Sequence, residues 1–207
     1  MELKQFQNSC LNENNDLVVQ KYLVDGPVYF FETYYPNTDE EFNFKKDLSD
    51  SLNVHLRDIV IVGSSKLGFS IKPDKTELRL YQYKEFDFNY KNNVESKKSD
   101  LDVAIVSNSL FDSQLLNVYN HTLSYTIETY SYYKKKMFAF YILKGWLRPD
   151  YLPGKYSITP EINDVQKKYK GKYSRSVNIG IYKSWHFFET YHRNNIHTIQ
   201  LNLLANG

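Results

Sequence analysis

Two aspartates, Asp100 and Asp102, open the run SDLDVAIV. The period-2 geometry of a strand turns both carboxylates to one face. Two bare carboxylates side by side repel each other, and burying them uncompensated is costly. A divalent cation removes both difficulties. Mg²⁺, as one or two ions, or Mn²⁺ in its place, suits such a pair, because Mg²⁺ takes one or two carboxylates and completes its shell with water and phosphate oxygens. Upstream, IVGSSKLGFS breaks an apolar run with a Gly-Ser-Ser turn. Gly63 lets the backbone approach a ligand closely. Ser64 and Ser65 offer hydroxyls and amides to phosphate, and a helix beginning near Ser65 adds a favourable potential for an anion. Lys66 offers a point charge, or else is a solvated lysine. Taken alone, the turn or the aspartates have an ordinary structural explanation. Taken together they suit a nucleoside triphosphate bridging the turn and a metal held by Asp100 and Asp102.

The elements that must position these residues are legible in outline. IVIV (59–62), LDVAIV (101–106) and VNIGIY (177–182) read as buried strands. VYFFETYY (28–35) is aromatic and β-prone. Residues 15–24, 39–52, 110–136, 135–147 and 183–194 read as helical. Residues 72–98 are polar and irregular and read as a long insertion that loops out, with a hairpin around ELRLYQY (77–83). The order predicts an α+β, mixed α/β domain of 207 residues built on one central mixed sheet flanked by helices.

The pairing of IVGSSKLGFS with SDLDVAIV resembles the signature of the nucleotidyltransferase superfamily related to DNA polymerase beta, over roughly residues 40–110. The resemblance implies a nucleotidyltransferase-like mixed sheet, Asp100 and Asp102 as metal ligands, and Gly63 and Ser64 as the triphosphate-binding turn. It implies transfer of a nucleoside monophosphate, with ATP the expected donor, to a hydroxyl of RNA, protein or a small molecule. Small stand-alone members point by analogy to toxin–antitoxin or phage-defence modules. The chain departs from the pattern twice. Residues 65–99 separate the two motifs. A third carboxylate is expected on a later strand, where VNIGIY carries Asn178; Asp164, Glu161 and Glu77 are the candidates to replace it. A site left with two acids and Asn178 facing them implies a binding or regulatory module without chemistry.

Composition bounds the rest. The net charge of +2 excludes a polycationic tail, and one cysteine, Cys10, excludes an internal disulfide framework. The N-terminus lacks the apolar core of a signal peptide, and no apolar run is long enough for a bilayer, so a cytoplasmic protein without a membrane partner is expected. Residues 166–175, QKKYKGKYSR, carry five basic residues and no acid, which suits either a solvated loop or a nucleic-acid contact with Tyr169 and Tyr173 as stacking rings. The histidines form no metal-ligand spacing, and Trp146 and Trp185 read as core.

Overall fold

The computed structural model describes residues 2–73, 80–124, 126, 132–152 and 160–206. The chain opens with helix α1 (Leu3–Asn12). Helix α2 (Asn15–Val18), capped by the Asn14 side chain, runs into a π-helical turn, Val19–Val24. Helices α3 (Tyr29–Tyr34) and α4 (Glu40–Leu52) lead to strand β1 (Ile59–Val62). One helical turn, α5 (Ser64–Leu67), precedes a hairpin of β2 (Phe69–Pro73) and β3 (Tyr81–Glu85). The short helix α6 (Phe88–Lys91) and strand β4 (Leu101–Val106) follow. Helices α7 (Asn108–His121) and α8 (Tyr132–Leu143), strand β5 (Trp146–Leu147), helix α9 (Pro160–Tyr173), strand β6 (Val177–Tyr182) and helix α10 (Trp185–Asn206) complete it.

The fold is mixed α+β. Its main sheet has the order β1-β4-β6-β5, with β4 parallel to β6 and the other two pairings antiparallel. Alternation along the strands sorts its two faces. Ile59, Ile61, Leu101, Val103, Ile105, Ile179 and Ile181 enter the largest core, with residues of α3, α4, α7 and α9. Val60, Ala104, Val106 and Tyr182 face the other way, against Phe188 of α10. A third core joins α1, the π-helical turn, Leu67, Phe69 and the far part of α10.

Several elements differ from expectation for identifiable reasons. VYFFETYY is helical from Tyr29 to Tyr34, because a helix buries Phe30 and Phe31 together in an aromatic cluster with Phe44, Phe86 and Tyr173; burial overrides strand propensity. Residues 135–147 contain a helix end and then a two-residue edge strand, too short to carry a pattern. The expected insertion does not loop out as a whole. Phe86 belongs to the main core, Asp87 is buried, and the hairpin packs Phe69 and, in part, Tyr83 against the third core. The turn of that hairpin, with Glu77, lies outside the described residues.

Candidate functional site

The strand register assembles the sequence motifs at one end of the sheet. Val62, the last residue of β1, stands opposite Asp102, and Asp102 stands beside Asn178 of β6. Asp100, two residues earlier, shares that face. Asn178 Nδ2 donates to Asp100 Oδ2 (3.2 Å) and to Asp102 Oδ1 (3.0 Å), so a single amide bridges the two carboxylates. Lys97 Nζ donates to Asp100 Oδ2 (3.3 Å) and lies 2.9 Å from Oδ1 as an ion pair. Asp102 is half-buried. Burial pushes its pKa up, the Asn178 amide pulls it down, the charges of Asp100 and Asp150 raise it further, and Lys72 lowers it. The net direction is upward, with burial the largest cause.

Gly63 closes the site from the β1 side. Its backbone (φ 69°, ψ −151°) lies in a region that is essentially glycine's alone, and a Cβ there would meet Asp102 Oδ2 at 3.0 Å. The turn therefore lies beside the Asp102 carboxylate. Ser64 opens α5 and is half-buried. The next two residues turn away from the site. Ser65 is fully buried, and its hydroxyl donates to the Val62 carbonyl (3.0 Å), which fastens the turn to the end of β1. Lys66 is 2% exposed and its ammonium donates to the Gly26 carbonyl, between the π-helical turn and α3. Burial, then the neighbouring Lys45 charge, lower its pKa to about 8. Lys66 thus ties the turn to the N-terminal helices, and Ser65 acts on its own turn.

The approach to Asp100 is held by a buried network absent from the sequence reading. Arg175, between α9 and β6, and Asp87 are 5% and 4% exposed. Arg175 Nη2 donates to Asp87 Oδ2 (3.1 Å), and Nη1 donates to Asp87 Oδ1 (3.3 Å) and to the Ser99 carbonyl (2.8 Å). The Ser99 amide donates to Asp87 Oδ1 (2.7 Å), the Asp87 amide to Ser99 Oγ (3.0 Å), and the Tyr34 hydroxyl to Asp87 Oδ2 (2.9 Å). The guanidinium lies over Phe30 and Phe86, each 4.8 Å from its carbon, and over Tyr34 at 5.3 Å. Burial alone would raise the Asp87 pKa; the Arg175, Ser99 and Tyr34 hydrogen bonds overcome it and hold it below the ordinary carboxylate value. On the other side of Asp100, the Leu101 amide donates to the Ser176 carbonyl (2.8 Å). Asp100 is therefore fixed by its neighbours before its own contacts count.

Among the described residues no three His, Cys, Asp or Glu side chains gather in one metal-binding group. Asp164 and Glu161 sit exposed on α9, outside any such group, and Glu77 lies outside the described residues. Asp150, which the sequence reading passed over, sends its charge to Asp102. It follows β5, whose antiparallel register with β6 leads it back toward Asn178. It is ion-paired with Arg148, whose Nη1 also donates to the Tyr141 hydroxyl (2.8 Å) and whose guanidinium rests over Tyr141, Trp146 and Tyr151. The chemistry of the donor set, two carboxylates on one face beside a turn without a side chain, is of the kind that holds a divalent cation.

Residues 166–173 form the end of α9 and not a solvated loop, and the two rings offered for stacking are covered: Tyr169 and Tyr173 are buried, with their hydroxyls donating to Asp47 and Glu40 of α4. Lys168 and Lys172 pair with the same two acids. The spacing of four that brought the tyrosines into one reading is the spacing of a helix face packed on its neighbour.

No helix among the described residues is long and apolar enough to cross a membrane. No protein-family model, characterised protein or solved structure matches the chain.

Proposed function

We propose that the chain is a Mg²⁺- or Mn²⁺-dependent nucleotidyltransferase that moves a nucleoside monophosphate from a nucleoside triphosphate, with ATP the first candidate, to a hydroxyl. The observation that carries this reading is the meeting of Asp100, Asp102 and the Gly63 turn at one end of the sheet, with Asp102 Oδ2 3.0 Å from where a Gly63 side chain would begin. Asp100 and Asp102 hold the cation; Gly63 and Ser64 admit the phosphates. The bound cation supplies charge neutralisation for the departing pyrophosphate and acidity to the attacking hydroxyl. The hydroxyl oxygen bonds to the α-phosphorus, the bond from that phosphorus to the bridging oxygen breaks, and pyrophosphate leaves. Asp150 is the carboxylate this reading calls on to take the hydroxyl proton.

A second reading has its own observation. Asn178 faces both carboxylates and neutral amide stands where the family resemblance implies an acid, which suits a module that binds nucleotide without turning it over.

Label transfer decides between them. The protein is incubated with Mg²⁺ and α-labelled triphosphates, with RNA and with cell lysate, beside Asp100→Ala/Asp102→Ala. Transfer lost in the double variant supports the enzyme. Mg²⁺-dependent nucleotide binding with no transfer to any acceptor supports the module. Absence of nucleotide binding refutes both.

A further inference from the structure

Residues 84–98 connect β3 to the carboxylate pair and carry the exposed features that 166–175 lacks. Phe88 and Tyr90 of α6 are 39% and 42% exposed, and Val94 beyond them is 65% exposed. Each ring has a lysine over it: Lys84 Nζ is 5.6 Å from the Phe88 centroid and Lys98 Nζ is 5.5 Å from that of Tyr90. Lys91 stands exposed beside them. Lys97, the neighbour of Lys98, reaches Asp100. The exposed acids of the stretch are Glu85 and Glu95; Asp87 is buried and matched by Arg175. Two exposed rings and four lysines therefore share one stretch, and the stretch ends at the candidate metal ligands.

This surface is also fixed in place. The Asp87–Ser99 hydrogen bonds close the stretch into a loop, Arg175 clamps its base, and Phe86 roots it in the main core. Phe88 and Tyr90 are thus held out into solvent by a rigid base that does not use them. Exposed rings flanked by lysines are the two components of sequence-tolerant single-strand binding: bases stack on the rings while cations follow the backbone. The excess of lysine over acid complements phosphates, whereas the core of a protein-protein contact is depleted in lysine.

We propose that residues 84–98 are the docking surface for a single-stranded nucleic-acid acceptor, with Phe88 and Tyr90 stacking bases and Lys84, Lys91 and Lys98 contacting the backbone. Delivery of a terminal hydroxyl to Asp100 and Asp102 rests on the nucleotidyltransferase reading; the binding itself does not.

The test is fluorescence anisotropy of a labelled single-stranded RNA of about 12 nucleotides across a salt series, without nucleotide or divalent metal. The wild-type protein binds with an affinity that falls with salt. Phe88→Ala/Tyr90→Ala, which loses two stacking rings, binds at least roughly 30-fold more weakly at fixed salt. Lys84→Gln/Lys91→Gln/Lys98→Gln flattens the slope of log affinity against log salt by about 2, from about 0.7 per phosphate contact. Asp100→Asn/Asp102→Asn keeps its RNA binding. Thermal unfolding checks each variant, and Phe88→Leu/Tyr90→Leu, which keeps apolar bulk and loses the rings, replaces the alanine pair if that pair unfolds. The proposal is overturned if wild-type protein does not bind, if the ring variants bind as wild type, or if only Lys167→Gln/Lys170→Gln loses binding. Label transfer to protein alone, in lysate that also contains RNA, overturns it too. Loss of RNA binding in the ring variants with nucleotide binding intact isolates this surface. Loss of label transfer with RNA binding intact strikes the catalytic reading alone.

Discussion

Replacing Asp87 with alanine removes a carboxylate that accepts four hydrogen bonds, from two Arg175 nitrogens, the Ser99 amide and the Tyr34 hydroxyl. It leaves the Arg175 guanidinium, whose side chain is 2% exposed, with the Ser99 carbonyl and three ring faces for company. Removing one partner of a buried pair typically costs about 3–5 kcal/mol, because the other charge stays buried and unmatched. For a chain of this size that is a fall in Tm of roughly 6–20 °C, at about 2–4 °C per kcal/mol. Replacing both partners with apolar residues, Asp87→Leu/Arg175→Met, removes the stranded charge and is expected to recover much of the stability. The local order at Ser99 is not recovered, so the double variant regains Tm and still binds Mn²⁺ more weakly than wild type. Urea unfolding and Mn²⁺ titration followed by electron paramagnetic resonance read the two quantities separately. A loss below about 1 kcal/mol for Asp87→Ala would refute the view of Asp87 as a buried, matched charge. Wild-type Mn²⁺ affinity in the double variant would refute the claim that the network sets Asp100.

Three further predictions are simpler. Gly63→Ala forces a glycine-only backbone and crowds Asp102, so it costs roughly 1–3 kcal/mol and weakens Mn²⁺ binding; unchanged metal affinity would separate the turn from the carboxylates. Lys66 has a folded-state pKa lowered to about 8 by burial, so its charge destabilises the fold below that pH and the penalty fades as pH rises toward the unfolded value of 10.5. Wild-type urea stability therefore gains a rising increment from about pH 8 to 10.5 that Lys66→Met abolishes, and nucleotide affinity in that variant is unchanged because Lys66 points at Gly26. Asn178→Asp exchanges the bridging amide for a third carboxylate: without metal it lowers Tm by like-charge repulsion, and with Mn²⁺ it raises affinity, so thermal shift with and without the ion moves in opposite directions.

The parts of the fold that carry a strong local pattern could be read from sequence. IVIV, LDVAIV and VNIGIY are β-branched runs buried on both faces, and they are the three long strands of the main sheet. The strand register sets Gly63 beside Asp102, so the two motifs end at one place in the sheet. Side-chain direction was not legible. Lys66 follows the Gly-Ser-Ser turn in sequence, but one helical turn rotates it to the opposite side, onto the Gly26 carbonyl. Tyr169 and Tyr173 look like stacking rings until a neighbouring helix supplies Asp47 and Glu40. The clamp was invisible for a different reason. Asp87 and Arg175 are separated by 88 positions, and nothing local distinguishes either from a solvated charge. Asp150 was hidden by the shortness of β5, whose two residues cannot establish a period.

The β4–β6 pairing has a consequence for synthesis. Asp102 and Asn178 are 76 positions apart, and the strands that hold them run parallel, so no hairpin can bring them together early. Arg175, which fixes the loop before Asp100, is made at nearly the same moment as Asn178. A nascent chain can complete β1, the Gly63 turn and β4 and still have a carboxylate pair with neither its bridging amide nor its clamp. Parallel, long-range pairing is also slow to form, since the loop must close before any contact rewards it. The carboxylate pair therefore meets its clamp and its amide only after residues 175–178 have left the ribosome, and a chain that stops short of residue 175 carries the Gly-Ser turn and the two aspartates with neither.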